Sequence, residues 1–370
     1  MNPVEELLST AVQNGIFPGA AYAIWKDGKL IQGAVGNHLY DPASQRVTVN
    51  TVWDLASVSK VIGTTSAAIL LVQDGLLDLD HPVIKVIPEF GINGKEHVSF
   101  RNLMVHDSGL IAFRPYHKTF SNSSDVMTAI YTEKFEYETG AKTVYSDLNM
   151  ILLAEAMRRL TGKTLDELLR ERVFKSLGMK HTGYFRQDKS TFVANVLRRD
   201  CSPTEVTEPW RVSLRRRRYG DLGTSELFGD KPEFIQGEVH DPTATVLDGV
   251  AGHAGLFSTV GDLCTFMANY ISDRPKLFDP KQVAKFTKRQ NAKSTRGLGW
   301  DTKSPQGSSA GKHFGQRSFG HTGYTGTSIW CDPDANLFAI LLANRVHPTS
   351  QNTKILAFRP TFHDAVWSLS

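Results

Sequence analysis

Two serines in the chain stand three positions before a lysine: Ser57-Val58-Ser59-Lys60 and Ser309-Ala310-Gly311-Lys312. Residues three apart share a face only on a helix, so the pair can act together only there. Residues 57–74 carry helical apolar spacing, with Gly75 as a stop, whereas the segment around Ser309 does not. At a helix N-terminus the free N–H groups and the dipole stabilise a developing alkoxide. They also push a nearby lysine toward its neutral, basic form. Ser57 is therefore the candidate nucleophile and Lys60 the candidate base. Gly307-Ser308-Ser309-Ala310-Gly311 also matches G-x-S-x-G, but that elbow needs a strand before it and a helix after it. Residues 301–306 are polar and include Pro305, and residues 312–320 have no helical period, so the match is set aside.

Two further elements join Ser57. In Tyr145-Ser146-Asp147, Ser146 or Asp147 suits the N-cap of the periodic segment 148–160, which places Tyr145 in the loop before it. A loop tyrosine beside a lysine can shuttle a proton to a leaving group. The string His-Thr-Gly-Tyr occurs twice, at 181–184 and 321–324. The first copy follows a helix end and leads into a polar stretch. The second runs into an expected strand at 325–331, where its backbone could line a cleft, and is preferred.

The elements that must hold these residues are legible in outline. Apolar residues at 4, 7, 8, 11 and 12 read as an amphipathic helix ending near Gly15. Runs at 20–25 and 29–35, joined by Asp27-Gly28, read as a hairpin. The middle is mostly helical: 148–160 is closed by Gly162, and a capping box at Thr164-Leu165-Asp166-Glu167 opens a segment ending at Gly178. Residues 201–246 sustain no period and read as a long loop or flap, a length that is commonly functional. Strands are expected at 297–302, 325–331 and 337–343, with a turn at Asp332-Pro333-Asp334 and a terminal helix over 355–367. The whole suggests one discontinuous α/β unit: residues 1–60 and about 290–370 complete one antiparallel sheet, and about 61–290 form a mostly helical insertion.

Composition limits the alternatives. With 42 Lys+Arg and 38 Asp+Glu the net charge is +4, too mild to indicate a nucleic-acid partner. Three scattered cysteines exclude a disulfide framework and offer no zinc pattern. The N-terminus has no apolar h-region, and the longest apolar runs, 67–72 and 338–343, fall short of the ~20 residues of a bilayer span. The expectation is a soluble protein of a reducing, cytoplasmic compartment, without metal or cofactor.

An S-x-x-K, a Y-x-[ND] and a late [KH]-T-G, in that order, resemble the serine β-lactamase and penicillin-binding-protein superfamily. The sequence resembles its class C-like branch of β-lactamase-related esterases, D-aminopeptidases and carboxypeptidases. Supporting stretches are His106-Asp107-Ser108-Gly109-Leu110, Leu177-Gly178-Met179, residues 252–259 and Leu342-Ala343-Asn344-Arg345, so the likeness covers nearly the whole chain. The resemblance implies that Ser57 is acylated, that Lys60 takes its proton, and that Tyr145 serves the leaving group and the deacylating water. It implies an oxyanion hole from the backbone N–H groups of Ser57 and Tyr324, and substrate contacts from Asp147, His321, Thr322 and Gly323. Two residues depart from the family pattern. His321 stands where lysine is common and gives up a fixed cation for a substrate carboxylate. Asp147 stands where class C enzymes have Asn, and a carboxylate there would raise the pKa of Lys60. The first departure favours small esters or amides over β-lactams, and the second shifts base work toward Tyr145. A true β-lactamase or DD-carboxypeptidase, an acyltransferase, and a binding module that is acylated without turnover are the alternatives.

Other conspicuous residues are read as structural. The arginine run at 215–218 suits a solvated or salt-bridged flap, and His253 suits close packing in a glycine-rich stretch. His106-Asp107 and His240-Asp241 are adjacent pairs that rarely aim at one site. The loop at 307–312 lacks the spacing of a phosphate loop. Trp210, Tyr219, Phe228 and Phe234 either wall the acyl pocket or anchor the flap.

Overall fold

In residues 337–343 every side chain is buried, yet alternate ones serve different layers. Leu337, Ala339 and Leu341 join one apolar cluster, while Phe338, Ile340 and Leu342 join the other. This is the period-2 pattern of a strand covered on both faces. The computed structural model describes residues 2–186, 198–228, 233–272 and 274–369. It opens with α1 (Pro3–Gln13) and the hairpin β1 (Gly19–Lys26) and β2 (Lys29–Gly36). The middle carries β3 (Trp53–Asp54), α2 (Ser66–Gln73), α3 (Phe100–Val105), α4 (Ser123–Thr132), α5 (Asp147–Thr161), α6 (Leu165–Leu169), α7 (Lys175–Leu177) and β4 (Gly183–Tyr184). Then follow α8 (Pro209–Phe228), α9 (Pro242–Val246), β5 (Leu256–Ser258), α10 (Val260–Ile271), α11 (Pro280–Thr287), β6 (Asp301–Thr302), β7 (Phe319–Thr322), β8 (Ser328–Asp332), β9 (Leu337–Ala343) and α12 (Ile355–Ala365).

The main sheet has the order β2-β1-β9-β8-β7-β6, every neighbouring pair antiparallel. The chain's two ends meet at its centre, where β1 pairs β9 with Ala20 opposite Ala343. Helices α1 and α12 cover one face through Val4, Leu8, Phe358 and Phe362. The other face packs on the helical middle. A second sheet, β3-β5-β4, is small but sits directly before the candidate nucleophile.

Three expectations need correction. Residues 201–246 are not one long loop, because α8 runs through them, kinked where Gly220 takes φ 69°. Its inward residues Arg211 and Arg215 are buried and Arg218 is partly so, at helical spacing, while Arg216 is 65% exposed. The period was invisible to an apolar pattern because the inward stripe is arginine. Arg215 pairs with buried Glu238, and Arg218 donates to the carbonyls of Thr245 and Val246 at 3.0 and 3.1 Å. The strand expected at 297–302 shrinks to β6. Gly299 takes φ 79°, and a Cβ there would lie 2.0 Å from Thr65 Oγ1, so the backbone turns against the segment after Ser57. The strand expected from 325 starts at Ser328, because residues 323–326 form a turn closed by Gly326 N–H donating to Gly323 O at 3.2 Å.

Among the described residues, one stretch, Ala56–Gln73, is long and apolar enough on composition to cross a membrane, although the separate apolar runs did not suggest it. It is 83% buried inside the fold, where it forms the central helical path.

Candidate active site

From residue 51 to residue 70, Ser57 alone is not buried. It stands on a single 3₁₀ turn, Ala56–Val58, that leaves β3 and continues through the π-helical stretch Lys60–Thr65 into α2. π-Helical turns are uncommon and gather at functional sites. The preceding Ala56 holds φ 46°, costly for a residue with a Cβ. Asp54 fixes this bend: its Oδ1 accepts from Ala56 N–H at 2.8 Å and its Oδ2 from His240 N–H at 2.7 Å. Burial raises the pKa of Asp54. The loop before β5 fastens the other side, with Thr64 donating to Gly252 O at 2.6 Å and Leu256 N–H to Ser59 Oγ at 3.1 Å. Gly252 can only be glycine there, since a Cβ would lie 1.9 Å from Met150 O.

Lys60 is fully buried, and its ammonium meets three acceptors: Ser57 Oγ at 3.0 Å, His253 O at 2.8 Å and Asp147 Oδ1 at 2.7 Å. Burial is the largest influence on it and pulls its pKa down. The charge of Asp147 and the phenol of Tyr145 outweigh burial and hold the lysine above its ordinary value. Tyr145 precedes α5, whose N-cap is Ser146. The Tyr145 ring lies 4.9 Å from Lys60 Nζ and 4.9 Å from Arg296 Cζ.

His321 is the third residue of β7 and lies 5.8 Å, ring to ring, from Tyr145. Its Nδ1 is 2.8 Å from Thr322 O, an acceptor, so Nδ1 carries the proton and Nε2 is left as a buried acceptor. Burial first, then Arg296 and Lys60, hold His321 well below the usual histidine range, so it is neutral at pH 7. Thr322 ends the strand. Gly323 presses against the nucleophile segment, where a Cβ would meet Thr327 Oγ1 at 2.0 Å and Leu55 O at 2.5 Å. Thr325 and Thr327 bolt the same turn down by donating to Asp54 O and Leu55 O, each at 2.9 Å. Tyr324 is 53% exposed and faces a cleft of about 800 Å³ that also holds Ser57, Asp147, Asp241 and His253.

The structure thus gathers Ser57, Lys60, Tyr145, Asp147 and His321 into one cluster, beside the 322–324 turn. Ser309 is excluded from it: its Oγ accepts from Trp330 Nε1 at 3.1 Å, and Lys312 N–H is held by Asp364. The first His-Thr-Gly copy runs into β4, where Tyr184 is buried against β5.

Four residues belong to the neighbourhood that sequence reasoning set aside or passed over. Asp241 accepts from His253 at 2.9 Å, and both line the cleft. Burial opposes ionisation of Asp241, but His253 and Lys60 prevail and hold it well below the usual carboxylate range. Asp147, Asp241 and His253 place ligand atoms within 4.8 Å of one another, a grouping the sequence did not show. There Asp147 is paired with Lys60 and Asp241 with His253. His106 packs 4.8 Å from the Tyr145 ring and its Nδ1 accepts from Ser146 N–H at 3.1 Å. Arg296 supplies a cation beside Tyr145. The two adjacent pairs differ: Asp107 turns away to accept from Asn102, whereas His240, which meets Glu205, and Asp241 both line the cleft, against the expectation that such neighbours do not aim at one site. Among the described flap aromatics, Trp210, Tyr219 and Phe234 do not line the cleft. Trp210 packs on His117 and Phe234 on His347, whereas Phe113, Pro115, Val206 and Pro348 line the cleft. The side chain of Phe228 lies outside the described residues.

Known proteins resemble this chain over most of its length. The family model Beta-lactamase matches residues 4–358. An N-acetylmuramyl-L-alanine amidase of Bacillus subtilis strain 168 is 31% identical, over 94% of this chain and 81% of its own. A Salmonella paratyphi B protein named, provisionally, D-alanyl-D-alanine carboxypeptidase is 32% identical, over 84% of this chain and 73% of its own. Among solved structures, a class C β-lactamase from Rhodobacter sphaeroides superposes with TM-score 0.72 at 16% identity, both chains being covered completely. EstCE1, a hydrolase with promiscuous acyltransferase activity, gives TM-score 0.72 at 18% identity over 96% of this chain and 97% of its own. With the sheet, the gathered cluster and relatives above 30% identity along most of its length, the chain belongs to the Beta-lactamase family.

Proposed function

We propose that the protein is a serine hydrolase that forms an acyl-enzyme on Ser57 and hydrolyses small carboxylic esters or amides. One observation carries the reading: the only partly exposed residue in a buried 20-residue stretch is a serine, its Oγ 3.0 Å from the amine of a buried lysine, at a cleft. Ser57 Oγ attacks the carbonyl carbon, and the oxyanion is received by the backbone N–H groups of Ser57 and Tyr324. Because Asp147 keeps Lys60 charged, the base work falls to Tyr145, whose oxygen takes the Ser57 proton and whose ring lies 4.9 Å from both Lys60 Nζ and Arg296 Cζ. Tyr145 then protonates the leaving group and, in the second half, activates water.

Amides bearing a carboxylate are the second reading, and Arg296 is what favours it. His321 is neutral, but a guanidinium beside Tyr145 returns a fixed cation to the same cluster. The names of the amidase and carboxypeptidase relatives point the same way. The test is kcat/KM for a short-chain p-nitrophenyl ester, a D-Ala-D-Ala peptide and nitrocefin, with wild type and Ser57→Ala. Turnover of the ester or the peptide that disappears in Ser57→Ala supports the proposal. Dominant nitrocefin hydrolysis would make the protein a β-lactamase instead, and full activity in Ser57→Ala would reject the nucleophile.

A further inference from the structure

The N–H of Tyr324 belongs to the same peptide unit as the carbonyl of Gly323. That unit is trans, so its oxygen and its hydrogen point in opposite directions. The carbonyl end is held by Arg359 of α12, a residue 5% exposed on the far side of the sheet from the cleft, where α12 packs. Its Nη2 donates both to Gly323 O and to Thr327 O, the latter at 3.1 Å. Burial lowers Arg359 to about 10, which still leaves it charged at neutral pH. A second arginine fixes the next unit: Arg345 Nε donates to Tyr324 O at 2.8 Å, and its guanidinium lies 4.2 Å from the Tyr324 ring centre.

We propose that Arg359 is a positioning residue for the oxyanion hole, aiming and polarising the Tyr324 N–H from behind through the Gly323 carbonyl. Two physical effects act together. A charged donor on an amide oxygen draws electron density from its nitrogen, which makes the N–H a stronger donor, as linked hydrogen bonds do in a low-dielectric interior. The same bond pins the peptide plane. Without it, that plane relies on neighbouring turn contacts such as Gly323 N–H to Thr327 O at 2.8 Å. Preorganisation of such donors is where oxyanion stabilisation comes from, since nothing need reorient as the charge forms. Arg359 touches no substrate; its effect on the reaction passes entirely through the peptide. The proposal rests on the reading that Tyr324 N–H receives the oxyanion.

The experiment compares an oxo ester with its thiono counterpart, in which sulfur replaces the carbonyl oxygen and accepts hydrogen bonds poorly. Wild type should prefer the oxo ester. In Arg359→Gln, kcat for the oxo ester should fall about 10- to 100-fold, less than the loss of a whole oxyanion donor. KM should change little and the thiono rate should fall much less, so that the oxo-to-thiono ratio collapses. Arg359→Lys, which keeps a buried cation able to donate to Gly323 O, should recover most of the ratio. Should Arg359→Gln fail to fold, the partial loss in Arg359→Lys, read at a temperature where its circular dichroism matches wild type, serves instead. A purely structural role lowers both rates together and leaves the ratio unchanged, which overturns the proposal. A wild type that shows no oxo preference overturns the oxyanion-hole reading itself, whatever Arg359 does.

Discussion

Asp147 decides what Lys60 can be. At 2.7 Å from Nζ it holds the lysine above its ordinary pKa, and in that form the amine is a charge partner and not a base. Asp147→Asn removes the carboxylate, so Lys60 must titrate at lower pH than in wild type. If activity needs the charged lysine, the alkaline limb of the kcat/KM profile moves to lower pH, as a pH series with the ester would show; an unmoved limb would contradict the role given to Asp147. Tyr145→Phe keeps the ring beside Lys60 and Arg296 but loses the proton carrier. It should lower kcat about 10²- to 10⁴-fold, the usual worth of general acid–base catalysis. At this scale the sequence was readable where spacing on one element carries the chemistry, as in Ser57 and Lys60. It was silent where residues meet from separate elements. Asp241 and His253 are 12 apart in the chain and Arg296 lies 151 beyond Tyr145, so no local pattern relates them.

At the scale of elements, the site depends on how tightly the 323–327 turn sits on the nucleophile segment. Gly323→Ala places a methyl against Leu55 O, which is backbone and cannot swing away. The variant should lose roughly 1–3 kcal/mol of stability and more activity than that alone explains. Urea midpoints and ester turnover on the same preparation would check it, and wild-type turnover in a stable variant would show that the turn has slack. Elements with an apolar period or a turn signal were legible: α1, the β1–β2 hairpin at Asp27-Gly28, α5 with its Gly162 stop, and β9 at the residues anticipated. Element α8 was not, because its buried stripe is Arg211, Arg215 and Arg218, which hydropathy counts as surface. That stripe makes a strong prediction. Glu238 meets both Arg211 and Arg215, so Glu238→Gln removes the buried carboxylate that these two guanidinium groups share. A loss of about 3–5 kcal/mol is expected, read as a fall in the urea midpoint. A change under 1 kcal/mol would mean that water reaches the arginines.

For the molecule as a whole, pH stability follows from its buried imidazoles. His106, His321 and His363 are each held below the ordinary histidine value, with burial the largest cause. For a base with a lowered folded pKa, the unfolded chain takes up the proton first, so stability falls as pH drops below about 6.5. The urea midpoint should therefore be level from pH 8 to 7 and decline from pH 6.5 to 5; a midpoint unchanged at pH 5 would show that these rings find protons without unfolding. The fold at this scale was partly legible, since helix and hairpin first and strands and helix last implied a sheet closed by both chain ends. What the sequence did not carry was the second sheet. Strands β3, β4 and β5 have two, two and three residues, too short for any period, yet β3 and β5 set the start of the Ser57 turn.

Every step of the proposed reaction depends on an acyl group carried on Ser57 Oγ. The direct measurement is the intact mass of the protein acid-quenched during turnover of an activated ester, followed by peptide mapping. A mass increase of one acyl group is expected, confined to the peptide containing Ser57 and absent in Ser57→Ala. An acyl group mapped to any other residue, or turnover with no adduct in wild type and no loss in Ser57→Ala, would contradict it.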